Sequence, residues 1–158
     1  MLLPYFEWVN NLPVSRAIGE SALIYPVVQS IHLVFLALLV GGIFMVDLRL
    51  MGTSLTSLPL AKVARDARPW VIWGLVGMLV TGIPQLMQNA TREYHSEFFW
   101  FKMQLLPVAL IYHFTLRHRI TMAAEGRVPP ILSKLAGVVS IALWTSIAVT
   151  SRFIGLFT

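Results

Sequence analysis

Residues 21–46 read SALIYPVVQSIHLVFLALLVGGIFMV, and no Asp, Glu, Lys or Arg interrupts this run. At about 1.5 Å per residue, a helix of this length exceeds the roughly 30 Å hydrocarbon core of a bilayer. Three further apolar stretches, at 70–87, 98–116 and 132–157, are long enough to cross as well. The sequence therefore predicts an all-α integral membrane protein, with a bundle of four transmembrane helices within residues 21–158.

The composition excludes most other classes of protein. Hydrophobic residues make up 57% of the chain and charged residues 12%, and the mean hydropathy of +0.75 lies outside the range of soluble domains. The 158 residues leave room for one bundle but not for an additional catalytic domain. Because the chain has no cysteine, disulfides, iron–sulfur clusters, thiolate zinc sites and covalent c-type haem are excluded. Histidine, methionine and carboxylates remain as metal ligands.

Residues 1–20 precede the first apolar stretch and form a segment of their own. They lack a basic start and a small-residue cleavage site, and Pro4 and Pro13 interrupt their apolar run, so they do not resemble a cleaved signal peptide. Their aromatic side chains, among them Tyr5 and Trp8, are typical of the membrane interface. We predict an interfacial N-terminal segment.

Basic residues are concentrated in two connections. Eight of the twelve Lys and Arg residues lie within 47–69 and 117–134, and the positive-inside rule places both segments in the cytoplasm. Both termini are then periplasmic, which agrees with an even number of spans. Because the basic residues flank apolar spans without interleaved aromatics, they indicate topology and not nucleic-acid binding. Ser57 can cap a short helix that reaches Arg68 and lies on the cytoplasmic leaflet.

His32 and His113 lie inside the first and third predicted spans, where an ionisable side chain usually has a function. Both spans run inward, and residue counting places His113 about 3–8 Å deeper than His32. Two imidazoles on facing helices are axial ligands of six-coordinate haem b, which transfers electrons and leaves no position for oxygen. The alternative is that His32 hydrogen-bonds a neighbouring helix and that His113 belongs to the cytoplasmic basic residues.

The second and fourth spans add candidate cofactor contacts. Gly74 and Gly77 fall on one stripe of small and polar residues, which predicts either close helix packing or space for a flat macrocycle. Met78 lies at nearly the depth of His32, so His/Met ligation is a second option, although methionine is also an ordinary core residue. Arg152 can pair with a haem propionate or extend to the lipid headgroups.

The connection between the second and third spans contains His95 between Glu93 and Glu97, with Met87 before it. Such side chains in an oxidising compartment can bind copper, but a solvated loop has the same composition. The sequence contains no P-loop, dinucleotide-binding glycine pattern, Gly-x-Ser-x-Gly element or His-Glu-x-x-His motif.

Several short elements, spread over nearly the whole chain, resemble a group of bacterial inner-membrane proteins. That group is similar in layout to copper-resistance D and cytochrome b561-like four-helix proteins. The elements are His32, Gly41-Gly42, Asp47-Leu48-Arg49-Leu50-Met51-Gly52, Thr81-Gly82, Lys102, Trp144 and Ser151-Arg152-Phe153-Ile154. The related pattern has glycine where Ser151 stands, and the two membrane histidines match one haem and not the two of cytochrome b561.

The resemblance implies haem b between helices, exchange of electrons with quinone, and a periplasmic or membrane redox partner. The copper-resistance relatives imply metal handling. We therefore expect a quinone-linked haem b protein in the lipid of the bacterial inner membrane, with no nucleic-acid partner. The alternatives are a non-catalytic anchor or assembly subunit of a larger complex, as a homo- or hetero-oligomer, and a copper-handling membrane protein.

Overall fold

The computed structural model describes residues 2–123 and 127–157, the side chains of 155–157 excepted. Residues 124–126 of the predicted third connection lie outside this part of the chain, as do the two terminal residues. The described secondary structure is entirely helical. The elements are α1 (Leu3–Asn10), α2 (Pro13–Glu20), α3 (Ile24–Met51), α4 (Leu60–Gln88), α5 (Ala90–Tyr94), α6 (Glu97–Tyr112), a π-helical turn (His113–Arg117), α7 (His118–Met122) and α8 (Pro130–Phe157).

Three of these helices, α3, α4 and α8, are long and apolar enough to cross a membrane. They coincide with three of the predicted spans, and the all-helical prediction is confirmed. The remaining predicted span, 98–116, falls on α6 and the π turn. Because the π turn interrupts the helix, α6 itself has 16 residues, fewer than the roughly 20 that a single transmembrane helix needs.

The predicted interfacial segment forms two short helices, α1 and α2, at the end of the bundle where α3 begins and α4 ends. We call this the upper end and the opposite one the lower end. The ring of Phe6 on α1 contacts Tyr94 at 5.2 Å and Trp100 at 6.2 Å between centroids. The Trp100 Nε1–H donates to the Tyr94 carbonyl at 2.8 Å. Aromatic contacts therefore hold the N-terminal segment over the upper end.

The prediction of a separate surface helix ending at Arg68 was wrong, because α4 runs unbroken from Leu60 to Gln88 and passes through Pro69. A proline inside a helix removes one backbone hydrogen bond and usually weakens or kinks the helix. Here Val63, Ala67 and Val71 lie on one face on both sides of the proline, and all three are buried. Burial of this continuous face supports the helix across Pro69.

Helices α3 and α4 are antiparallel and pack at close range along a single seam. Residues on the seam recur at intervals of three and four, the spacing of knobs-into-holes packing. The facing pairs, from the lower to the upper end, are Gly42 with Val71, Leu39 with Gly74, Phe35 with Gly77 and His32 with Thr81. This seam fixes the depth of every residue on α4 relative to α3.

The Asp-Leu-Arg-Leu-Met-Gly element ends α3 and anchors the connection that follows it. Gly52 adopts φ 74°, and the amides of Gly52 and Thr53 donate to the carbonyls of Arg49 and Leu48, which is the Schellman arrangement. The Arg49 Nε–H donates to the Leu58 carbonyl at 2.8 Å and holds the loop. The functions of these residues are therefore to stop the helix and to position the start of α4.

The first residue of the same element, Asp47, forms a buried ion pair with Arg117 of the π turn. The Arg117 Nε–H donates to Asp47 Oδ1 at 2.7 Å, and Arg117 Nη2 donates to the Ile43 carbonyl at 3.0 Å. The exposed fractions are 0% for Asp47 and 5% for Arg117. Asp47 therefore pairs with a basic residue of a neighbouring helical segment. Ser140 of α8 lies beside the carboxylate without a well-formed hydrogen bond.

We expect Asp47→Leu and Arg117→Leu each to lower the free energy of unfolding by about 3–5 kcal/mol, because each leaves one buried charge without its partner. The double variant should lose far less than the sum of the two. Unfolding in mixed detergent and sodium dodecyl sulfate measures all three. Arg119→Leu, which changes an exposed arginine two residues away, is the control, and additive losses from the two single variants would contradict the pairing.

Candidate functional site

The His32 side chain is held by a short chain of hydrogen bonds across the α3–α4 seam. Its Nδ1 lies 2.6 Å from Thr81 Oγ1, and the Thr81 hydroxyl donates to the Gly77 carbonyl at 2.6 Å. A hydroxyl has one proton to donate, so Thr81 accepts from His32 and the Nδ1 atom carries the proton. The Nε2 atom of the neutral ring therefore keeps its lone pair, which is the form in which a histidine ligates a metal.

Charged groups lie close to this imidazole near the upper end. Lys102 of α6 is near enough to both His32 and Glu93 to interact with each electrostatically. Burial raises the pKa of Glu93, which lies on the short helix α5, while Lys102 and Arg92 oppose that rise. His32 thus faces a region that contains a half-buried cation and a half-buried acid.

This region lies between α3, α4 and α6. Among the described residues, α4 packs closely on α3, α6 packs on α8, and α7 approaches α4 at the lower end, whereas α4 and α6 themselves have little close backbone packing. Their side chains meet in the core below, where Met78 and Leu105 pack against the same cluster. We call the region around His32, Thr81 and Lys102 the upper groove.

His113 occupies a different environment. It belongs to the π turn, is 8% exposed, and places its ring 6.2 Å from Trp144 and 5.0 Å from Phe114 between centroids. Its Nδ1 is buried and has no hydrogen-bond partner. Together with Val71 of α4 it lines a cavity near the lower end of the bundle.

The structure does not bring His32 and His113 together. His32 lies at the level of Thr81 and His113 at the level of Val71. At about 1.5 Å per residue, the ten residues between these two positions of α4 correspond to roughly 15 Å along the bundle. Residue counting predicted a difference of about 3–8 Å. Two side chains that hold one iron atom must both reach it, and in this arrangement the separation along the bundle keeps these two histidines apart.

The predicted space for a macrocycle at Gly74 and Gly77 is filled by protein. A Cβ at Gly74 would lie 2.6 Å from the Leu39 backbone nitrogen, and one at Gly77 would overlap the Phe35 ring. Met78 packs against the hydrophobic core that contains Leu39. The glycines therefore serve close helix packing, and Met78 is a core residue.

The remaining candidate ligands lie apart from the upper groove or on the surface. Arg152 is exposed on α8, one residue before Phe153, whose ring packs at 5.5 Å on Phe98 of α6. His95 is exposed beside Tyr94 at 5.4 Å. Within residues 2–123 and 127–157, no three His, Asp or Glu side chains converge as a metal site would require. The copper hypothesis gains no support from this loop.

A family model matches residues 5–157, nearly the whole chain, and its description is a family of unknown function, DUF6644. The chain belongs to this family. Neither the curated proteins nor the solved structures contain a significant match. Membership of DUF6644 assigns no activity to the chain.

Two features of the DUF6644 chain were missed in the sequence. Lys102 stands at the start of an apolar stretch. A lysine inside one apolar stretch, together with His32 inside another, could have indicated a shared site. The π turn had no such signal, because its residues HFTLR continue an ordinary helical pattern. It places both His113 and Arg117 in buried positions.

We expect Gly74→Ala to lower the free energy of unfolding by about 1–3 kcal/mol, because the new methyl group must displace the α3 backbone. Gly41→Ala should change it by less than about 0.5 kcal/mol, because a Cβ there meets no atom within 4 Å. Detergent unfolding of the two alanine variants makes the comparison. Equal stability of both would contradict the close seam.

Proposed function

We propose that this protein is a membrane haem b protein of electron transfer in which His32 supplies an axial ligand. The observation that carries the proposal is the hydrogen-bond chain from His32 through Thr81 to the Gly77 carbonyl, which leaves Nε2 as the free Lewis base. A ligating histidine typically has its other nitrogen fixed by such a bond, which orients the ring and tunes its basicity. The donor chemistry of His32 therefore fits a haem iron.

Two basic residues are candidates to pair with the propionates of a haem held by His32. Lys102 interacts electrostatically with His32, and charge-assisted hydrogen bonds to a carboxylate are strong. Arg152 is the second candidate, since it precedes Phe153, whose ring packs on Phe98 of α6. A bound haem b would supply one-electron exchange, for which a membrane quinone and a periplasmic or membrane protein are candidate partners.

The proposal assigns no ligand role to His113, Gly74, Gly77 or Met78. His113 is roughly 15 Å too deep along the bundle by residue rise, and the other three pack in the α3–α4 seam and its adjoining core. The function therefore rests on one histidine of this chain. The resemblance to cytochrome b561-like proteins favours the same cofactor without adding a second ligand.

We further propose that residues 97–122 form the fourth span, with both termini periplasmic in the bacterial inner membrane. Helical backbone is continuous from α6 through the π turn to α7, and the combined length of about 39 Å at helical rise suffices to cross. The only acidic residue on α6 is Glu97 at its start. The concentration of Lys and Arg in the connections at the lower end supports a cytoplasmic lower end.

The first test is a reduced-minus-oxidised absorption spectrum of protein purified from cells with ample haem. Wild type should show a haem b signal, and His32→Ala should lose it. Thr81→Val should retain it with a shifted midpoint potential, because valine preserves the shape but cannot accept the Nδ1 hydrogen bond. His113→Ala and His95→Ala are the controls and should bind haem like wild type. A normal spectrum from His32→Ala would exclude His32 as a ligand.

The second test concerns topology. Reporters fused after Thr158 and inserted at Ser54, in the connection between α3 and α4, should give opposite results. A periplasmic reporter should be active at Thr158 and inactive at Ser54, because the basic connection stays in the cytoplasm. Location of both reporters on the same side would mean that an even number of segments crosses between them, and it would contradict the three crossings proposed here.

A further inference from the structure

The cavity near the lower end lies between α4 and the π turn with α7, and it has a volume of about 180 Å³. It is separate from the upper groove, and neither the fold nor the proposed haem ligation makes use of it. Among its lining residues are the basic side chains of Arg68, Arg117 and His118 and, nearer the middle of the bundle, the apolar side chains of Ile72 and Phe114.

The apolar part opens sideways, toward the region that lipid would occupy. Ile72 is 39% exposed and Phe114 is 49% exposed, although both also line the cavity. They lie one helical turn above Arg68 and His118 respectively, on helices that run on into the apolar spans. A ligand in the cavity would thus contact the exposed side chains of Arg68 and His118 at one end and the acyl-chain region at the other.

The polar groups of the cavity have hydrogen-bonding capacity that the protein leaves unused. Arg117 uses its Nε–H for Asp47 and Nη2 for the Ile43 carbonyl, and a guanidinium has five N–H donors in all. The buried His113 has no partner for its Nδ1.

We propose that this cavity binds the phosphate headgroup of an anionic phospholipid, with the acyl chains lying across Ile72 and Phe114. The carboxylate of Asp47 offsets the charge of Arg117, so Arg68 supplies the excess positive charge, and the His118 ring adds a hydrogen-bonding group. Basic pockets between helices at the cytoplasmic surface are the usual place for such headgroups. The site is independent of the haem proposal, and the failure of either leaves the other standing.

Native mass spectrometry of the full chain in detergent tests the proposal, with phosphatidylglycerol and phosphatidylcholine as the two probes. Wild type should retain phosphatidylglycerol in preference to phosphatidylcholine. Arg68→Gln should weaken retention of phosphatidylglycerol about fivefold, the contribution of one basic side chain near an anionic headgroup. Ala64→Leu, which adds bulk to the cavity wall without a charge change, should weaken it at least as much.

The matched control is Arg65→Gln, which removes the same charge from the same exposed face of α4, one turn before Arg68, but outside the cavity. It should leave retention unchanged within about twofold. Equal losses in Arg65→Gln and Arg68→Gln would mean diffuse attraction to the leaflet and would overturn the site. Displacement of the lipid by millimolar inorganic phosphate would also overturn it, because a free phosphate cannot use the apolar part of the cavity. Equal retention of the two phospholipids would overturn it as well.

Discussion

The ion pair between Asp47 and Arg117 fixes the position of the π turn relative to α3. These two elements have little close backbone packing among the described residues, so the long arginine side chain is a direct link between them. Loss of either partner would leave a charge in a region without water, which costs several kcal/mol. The second bond from Arg117, to the Ile43 carbonyl, restrains its guanidinium at the same level of α3. These two bonds therefore fix the depth and the rotation of the π turn relative to α3. The π turn follows α6 and forms part of the wall of the lower cavity.

The α3–α4 seam and the ion pair lie next to two regions, at the upper and lower ends of the bundle, whose polar side chains differ. Near the upper end, the seam includes a histidine whose tautomer is set by a threonine, at a level where α4 and α6 have little close backbone packing. At the lower end, α7 packs on α4, and two arginines line the cavity there. The proposed haem would use the first region, and the proposed headgroup would use the second. Neither region depends on the other for its polar partners.

The sequence predicted the helices well and the sites less well, for physical reasons that differ from residue to residue. Hydrophobic length identified α3 and α8 within a few residues, because transfer into lipid depends on composition alone. It missed the continuity of α4 through Pro69, where tertiary burial of Val63 and Val71 outweighs a local breaker. The predicted difference in depth between His32 and His113 was too small. Packing and the ion pair of Arg117 determine where the lower ends of the helices lie, and hydropathy contains no information on either. The stripe at Gly74 and Gly77 was compatible with close packing or with a macrocycle, and only the structure shows that Leu39 and Phe35 fill the space.

The π turn allows one helical segment to contact both α8 and α3, which an uninterrupted α-helix could not face with the same residues. Before it, Tyr112 donates its hydroxyl proton to the Ala136 carbonyl of α8 at 2.7 Å; after it, Arg117 faces α3. An α-helix advances about 100° per residue, so removal of one residue from His113–Arg117 would turn one of these faces away from its partner by that angle. Insertion of one residue would have the same effect in the opposite sense. In this short stretch, the number of residues therefore constrains the protein as strictly as their identity.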